Sequence, residues 1–279
     1  MTEFQVAYGG LCISFSSELP MAVPEELKAF LCEGRTPTDR YTVERLAEPM
    51  SSRGELMYRG SELSAYREEE GTLLIFHCRG GAGCRIRRNG EHSIYLTQTL
   101  ADTVTMGSRI GSLLNGEELL LNHEGILLHS SLVCHEGRGV LFSGPSGIGK
   151  STQADLWHRT FGDKILNGDR GVIRRLEQGF YAGGSPWCGS SGIYCGDFVP
   201  VEAVILLRQG PENVMAPADP RVAFREIYSQ CIVHSWDRAF VNGVCDLVGD
   251  LVSRVPVYTL SCLKSPSAAE LAKGILFPE

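Results

Sequence analysis

Residues 144–151 read Gly-Pro-Ser-Gly-Ile-Gly-Lys-Ser, in which small residues precede one lysine and one hydroxyl. Glycines let the backbone curl so that several N–H groups can point inward at phosphate oxygens. The lysine can neutralise the β- and γ-phosphates, and the serine hydroxyl can bind Mg²⁺. We therefore predict that ATP and Mg²⁺ are the cofactors. The predicted binding residues are Gly144, Ser146, Gly147, Ile148, Gly149, Lys150, Ser151 and Thr152.

Asp169 follows Ser151 by 18 residues, in the run Ile-Leu-Asn-Gly-Asp-Arg at 165–170. A carboxylate at the end of a short strand can reach the same metal and phosphates. It could hold Mg²⁺, or it could accept the proton of an incoming hydroxyl. An aspartate of an ordinary Gly-Asp turn is the alternative. We predict that Ser151 and Asp169 are the metal-binding residues.

His129 interrupts an apolar run, Ile-Leu-Leu-His-Ser-Ser at 126–131. The alternation of a strand would place Leu127, His129 and Ser131 on one face. Such a histidine is either a hydrogen-bonded core residue or a participant in proton transfer. The core role is the more common one for a lone histidine in a strand, and the resemblance described next favours the second role.

This order of residues resembles the catalytic domain of HPr kinase/phosphorylase, in the group that includes phosphoenolpyruvate carboxykinase. The matching pieces are His129 in Leu-Leu-His-Ser-Ser, the glycine-rich phosphate-binding loop (P-loop) at 144–151, and Gly-Asp-Arg at 168–170. The resemblance therefore runs from about Ile126 to the end. It implies that His129, Lys150 and Asp169 are the catalytic residues, with Asp169 as the base. The family has two adjacent acidic residues before the arginine, whereas this chain has Gly168 in place of the first. The metal geometry and any reverse phosphorylase activity depend on this position.

A second glycine-rich run lies at 183–191, Gly-Gly-Ser-Pro-Trp-Cys-Gly-Ser-Ser. Small residues around one large aromatic could close over a substrate, or they could form a plain connection. Cys188 is disfavoured as a nucleophile, because no histidine or aspartate can be assigned to activate it.

The second half of the chain alternates strand and helix patterns, which is typical of α/β proteins. Predicted helices cover 151–161, residues around 222–231 and 240–251, and a final segment capped by Ser267 with Glu270. The predicted strands are 126–133, 139–143, 164–166, 172–176, 201–207 and 256–262.

The first 120 or so residues have a β-rich pattern. Strands are predicted at 11–16, 41–44 and 73–76, and Asn89-Gly90 predicts a two-residue hairpin turn between 84–88 and 91–97. A helix starting at Pro24 would place Leu27, Phe30 and Leu31 on one face. Residues 79–83 are interpreted as a hairpin loop. Short helices are expected at 110–114 and 119–121.

We place a domain boundary near Asn122. The predicted fold class is thus α/β, with a P-loop, HPr-kinase/carboxykinase-like mixed-sheet domain at 123–279. A β-rich domain of unknown role at 1–122 precedes it.

Composition restricts the partners. A net charge of −7 and a pI near 5.6 argue against nucleic acid and anionic membranes as partners. No apolar run approaches a membrane span, and the amino terminus does not have the pattern of a signal peptide, so a cytoplasmic location is expected. The ten cysteines are scattered and are expected to be reduced.

Three functions fit these residues. The first is an ATP- and Mg²⁺-dependent kinase that phosphorylates a hydroxyl on a protein, peptide or small molecule. The second is a small-metabolite kinase of the shikimate type, although in those compact folds the P-loop opens the chain. The third is a binding module that nucleotide occupancy regulates without turnover. The sequence names no acceptor and leaves a homo-oligomer open.

Overall fold

The structure is a computed structural model, and it describes residues 2–104, 113–187 and 189–278. Its contacts divide the chain into two compact units. One comprises Met1–Asn122 with Ser235–Asp237, and the other comprises His123–His234 with Arg238–Glu279. The fold is mixed α/β with two large mixed sheets, each of eight strands.

The first unit is built on one eight-stranded sheet in the order β1-β2-β3-β8-β7-β6-β5-β4. β3 pairs in parallel with both β2 and β8, and the other neighbours are antiparallel. The strands are β1 (Thr2–Tyr8), β2 (Leu11–Ser17), β3 (Asp39–Arg45), β4 (Glu55–Arg59), β5 (Leu63–Glu68), β6 (Gly71–Phe76), β7 (Ala82–Arg87) and β8 (Glu91–Leu96). The helices are α1 (Gln98–Val104) and α2 (Gly116–Asn122).

The β7–β8 hairpin was predicted, but its turn has three residues, 88–90, and not two. Only Gly90 has a positive φ, of 79°, so the turn does not need the paired left-handed residues that Asn-Gly suggested. A hairpin connection joins β6 to β7 as predicted, but it spans 77–81, because Ala82 and Gly83 already belong to β7. Gly80 and Gly81 in it have φ angles of 64° and 85°.

The helix predicted after Pro24 is a 3₁₀ helix, Glu25–Phe30. Residues three apart share a face in this tighter helix, so Leu27 and Phe30 are buried together, whereas Leu31 is 48% exposed. The helix expected at 110–114 lies partly outside the described residues. Leu113 and Leu114 precede α2, which covers the predicted 119–121.

In its described residues the second unit has eight strands and four α-helices. The strands are β9 (Gly125–His135), β10 (Arg138–Ser143), β11 (Lys164–Asn167), β12 (Arg170–Leu176), β13 (Gly179–Gly183), β14 (Phe198–Gln209), β15 (Val214–Pro217) and β16 (Val257–Cys262). The helices are α3 (Lys150–Phe161), α4 (Pro220–Gln230), α5 (Arg238–Arg254) and α6 (Pro266–Leu276). All predicted strands of this half are present, and β13 and β15 are additional.

Five strands of this unit form a closed ring. β10 pairs antiparallel with β9 and parallel with β14, and β9 continues through β12 and β13 back to β14. The long strands β9 and β14 make this possible, because each pairs with different neighbours along its length. The closure brings the end of β10 and the start of β12 together beside the middle of β9.

The core that fixes α3 is aromatic. Trp157, which is fully buried, packs against Phe142, Phe161 and Phe277, with ring centroids 5.9, 5.5 and 6.4 Å away. This packing ties the helix that begins at Lys150 to β10, the strand before the P-loop.

The cap predicted for the last helix is wrong. α6 begins at Pro266, its N-cap is Ser265, and no side chain caps it. The Ser267 hydroxyl instead contacts Asn213 Nδ2 and Ser265 Oγ, at 2.9 and 2.8 Å. Proline fits the first turn because its missing N–H has no helical partner there, so the chain enters the helix one residue before the predicted cap.

Nine of the ten cysteines are described, and all nine are free thiols. Burial raises the pKa of Cys231 to about 12. In the residues that the structure describes, no helix is long and apolar enough to cross a membrane.

Candidate active site

Strand register brings the predicted catalytic residues together. On β9, His129 lies opposite Arg170, the first residue of β12, and Ser130 lies opposite Ser143, the last residue of β10. Asp169 comes directly before β12, and its carbonyl accepts the N–H of Ser130 at 3.0 Å. The glycine-rich loop after β10, the histidine and the aspartate therefore lie together where β10 ends and β12 begins, beside the middle of β9.

The P-loop runs from Gly144 to Gly149, between β10 and α3, as predicted. Its three glycines have φ angles of 142°, 76° and 118°, which side-chain-bearing residues rarely adopt. A Cβ on Gly147 or Gly149 would meet no atom within 4 Å, so these two are needed for conformation and not for space. Ile148 packs against the core and holds the loop to the domain.

The ammonium of Lys150 is held inside the loop. Its Nζ donates to the carbonyl oxygens of Gly144 and Pro145, at 2.9 and 3.1 Å, and the residue is only 6% exposed. Burial lowers the pKa of Lys150, and the negative charge of Asp169 opposes that shift. The lysine and the aspartate are thus close enough to interact electrostatically.

Two serine hydroxyls converge on one carbonyl. Ser131 and Ser151 both donate to the carbonyl oxygen of Gly168, at 3.0 and 3.2 Å. A hydroxyl that donates its proton keeps two lone pairs, so Ser151 can still act as an oxygen ligand. Among the described residues no group of three or more His, Cys, Asp or Glu could hold a metal ion, and the metal residues predicted by the sequence remain Ser151 and Asp169.

His129 contacts Asp169 on one side and α4 on the other. Its Nε2 lies 3.4 Å from Asp169 Oδ1, and its Nδ1 lies 3.3 Å from Gln230 Oε1. Burial lowers the pKa of His129, the charge of Lys150 lowers it further, and Asp169 opposes both. The environment therefore disfavours the charged form of the ring.

Gln230 and Asn167 were not singled out by sequence reasoning. Gln230 ends α4, far along the chain from His129, so no local signal connects them. Asn167 is fully buried, and its Oδ1 accepts the N–H groups of Asp169 and Arg170 at 2.8 and 2.6 Å. The order Asn-Gly-Asp after a strand is a signal for such a turn.

The second glycine-rich run approaches the aspartate. A Cβ on Gly189 would lie 2.7 Å from Asp169 Cγ, so the Gly189 backbone packs directly on the carboxylate. Gly184 is enclosed by backbone, since a Cβ there would meet the Cys195 carbonyl oxygen at 2.2 Å. Cys188 lies outside the described residues. This run is therefore part of the site's surroundings.

No protein-family model matches this chain, and no curated protein matches it in sequence. Among solved structures, it is similar to the HPr(Ser) kinase/phosphatase from Coxiella burnetii, with 13% identity and a TM-score of 0.31. The alignment covers 53% of this chain and 87% of that chain. A TM-score this low does not establish a shared fold.

The structure places His129, Lys150, Ser151 and Asp169 around the start of α3. Ser146 lies in the loop, and Thr152 lies in the first turn of α3. Among the described residues, neither hydroxyl makes a contact that indicates its role. Arg170 adds a guanidinium whose Nε lies 3.6 Å from Asp169 Oδ2. The arrangement can bind an anion at a helix N-terminus and present one carboxylate beside it.

Proposed function

We propose that this protein is an ATP- and Mg²⁺-dependent kinase, which transfers the γ-phosphoryl group to a serine-type hydroxyl on a protein, peptide or small molecule. The observation that carries the proposal is the contact between His129 and Asp169 where β10 ends and β12 begins, near the start of α3 at Lys150. A P-loop alone would support only nucleotide binding. A carboxylate at this place adds a group that can act on the acceptor.

The loop fits a nucleotide. Its positive-φ glycines allow backbone N–H groups to turn toward a bound phosphate, and the amino end of α3 adds the positive end of the helix dipole. Lys150 supplies a positive charge that reaches the phosphates once it leaves the loop carbonyls. Ser151 and Asp169 would hold Mg²⁺, which when bound neutralises charge on the phosphates.

Asp169 positions the acceptor hydroxyl and accepts its proton. Its Oδ1 faces His129 Nε2, and its backbone is fixed by Asn167. Each ring nitrogen of His129 lies near an oxygen that can accept its proton, Gln230 Oε1 at Nδ1 and Asp169 Oδ1 at Nε2. When Nδ1 carries the proton, Nε2 can take up the proton that Asp169 receives from the acceptor.

The acceptor can be found by incubating the protein with γ-labelled ATP and Mg²⁺, alone and with an extract of its source. Label transferred to a small molecule or to a protein identifies the class of acceptor. Lys150→Ala should abolish the labelling. Lys164→Ala is a matched control, because this exposed lysine of the same unit pairs with Asp197 at 2.7 Å. Labelling that persists in Lys150→Ala would contradict the proposal.

Tight ATP binding without transfer to any peptide, metabolite or extract component would instead support the nucleotide-regulated binding module. The two outcomes are distinct, since the module needs the P-loop but has no use for the carboxylate of Asp169 beside it.

A further inference from the structure

Asn167 contacts two different segments of the site through one amide group. It ends β11, and it is fully buried. Its Oδ1 accepts the N–H groups of Asp169 and Arg170, at 2.8 and 2.6 Å. Its Nδ2 donates to the carbonyl oxygens of Ser185 and Trp187, at 3.0 and 3.3 Å.

The two segments are those that surround the carboxylate of Asp169. The turn at 167–170 carries the carboxylate, and the run from Gly183 to Ser191 packs against it at Gly189. A second bond joins them, because Ser185 Oγ donates to the Arg170 carbonyl oxygen at 2.7 Å. An asparagine side chain has both an acceptor and two donors, so it can satisfy backbone groups of both kinds at once.

We propose that Asn167 is a positioning residue, which holds Asp169 in place with its oxygen and the 183–191 run over Asp169 with its nitrogen. This inference rests on the proposed kinase function. The run then forms a fixed wall of the acceptor site beside the carboxylate. Because Gly189 has no side chain, it leaves space for the Asp169 carboxylate where the run packs against it.

Two variants separate the two halves of this role. Asn167→Ala removes all of these hydrogen bonds. Asn167→Asp keeps an oxygen that can accept from both N–H groups, but when ionised it has no donor for the Ser185 and Trp187 carbonyls. The hydrogen bonds that Oδ1 accepts are therefore retained only in Asn167→Asp, and those that Nδ2 donates are lost in both variants.

The probe for turnover is MgATP with water as the acceptor, measured as phosphate release. In Asn167→Ala we expect kcat to fall about 100-fold, because a displaced catalytic group costs about that much. In Asn167→Asp kcat should recover to within about tenfold of the unmodified protein. The Kd for ATP, which depends on the P-loop, should stay within about threefold in both variants.

The probe for the wall is hydrogen–deuterium exchange of peptides from 183–195. Exchange there should rise about tenfold in both variants, since each loses the two donated bonds. Peptides from β9 and β10 should be unchanged. Asn213→Ala is the control, because that exposed asparagine also bridges two groups, Ser267 Oγ and the Leu263 N–H, both at 2.9 Å. Asn213→Ala should change neither kcat nor the exchange of peptides from 183–195.

The inference is overturned if Asn167→Ala keeps the unmodified kcat, or if exchange at 183–195 does not rise. It is also overturned if the Kd for ATP weakens as much as kcat falls, since that would indicate a general loss of structure. If Asn167→Ala does not fold, Asn167→Asp alone tests the inference, which predicts faster exchange at 183–195 together with a kcat within about tenfold of that of the unmodified protein. If the unmodified protein releases no phosphate and labels nothing, the kinase proposal fails, and the exchange experiment still tests the wall.

Discussion

Nε2 of His129 lies 3.4 Å from Oδ1 of Asp169, and the antiparallel pairing of β9 with β12 creates this contact. Arg170 lies opposite His129 in that register, so Asp169, which comes before Arg170, reaches the imidazole. The histidine is partly buried, lies near a lysine and keeps a lowered pKa. The pair therefore places a carboxyl group beside an imidazole whose pKa is held below its ordinary value.

Replacing His129 should change how stability depends on pH. Its pKa in the folded protein is below the ordinary 6.5, so below that pH the unfolded chain binds more protons than the folded one. Acidification from about pH 7 to about pH 5 therefore destabilises the protein through this residue. His129→Gln removes that contribution, and its thermal midpoint should fall less than that of the unmodified protein over this interval. Equal falls in both proteins would contradict the assigned environment.

Gly149 and Gly274 should respond oppositely to alanine. Gly149 has a φ of 118°, so Gly149→Ala strains the loop despite the open space around it, and both ATP affinity and the thermal midpoint should fall. Gly274 lies in α6 with nothing within 4 Å of its Cβ position, and Gly274→Ala should stabilise by about 0.5–1 kcal/mol. Chemical denaturation and ATP titration measure the two effects. A stabilised Gly149→Ala that binds ATP normally would refute the conformational role of this glycine.

Trp157 should be the main anchor of α3. Trp157→Ala removes a fully buried side chain that packs on Phe142, Phe161 and Phe277, and it should cost about 3–5 kcal/mol of unfolding free energy. Trp157→Phe should cost much less, because it keeps an aromatic ring and removes a buried indole N–H that has no hydrogen-bond partner. Equal losses in the two variants would show that the packing of the ring is not what matters. Urea denaturation supplies both free energies.

The sequence predicts the local parts of this site and misses those that depend on tertiary contacts. The P-loop is recognisable because its glycines, its preceding strand β10 and its following helix α3 are contiguous. Asp169 follows closely enough to be singled out by spacing. The contact between His129 and Gln230 joins β9 to the end of α4, and only the folded chain brings these together.

The fold shows the same limit. A strand with clear alternation, such as β2, and a strand with a long apolar run, such as β9, are evident from the sequence. β1 was missed because its burial is irregular, with both Phe4 and Gln5 only partly covered. The short strand β13 was missed because its Gly-Phe-Tyr-Ala-Gly sequence has small residues at most inward positions. The cap of α6 was misplaced by two residues because serines occur on both sides of Pro266.

The central claim is that the Asp169 carboxylate acts on the acceptor and the P-loop holds ATP independently of it. It is tested most directly by comparing Asp169→Asn with Asp155→Asn, an exposed aspartate of α3 that pairs with Arg159. Phosphate release from MgATP should fall about 10²–10⁴-fold in Asp169→Asn, the range expected for loss of a general base, and stay unchanged in Asp155→Asn. The Kd for ATP measured without Mg²⁺ should be similar in both, because Asp169 would bind the nucleotide only through the metal. Unchanged turnover in Asp169→Asn would contradict the account.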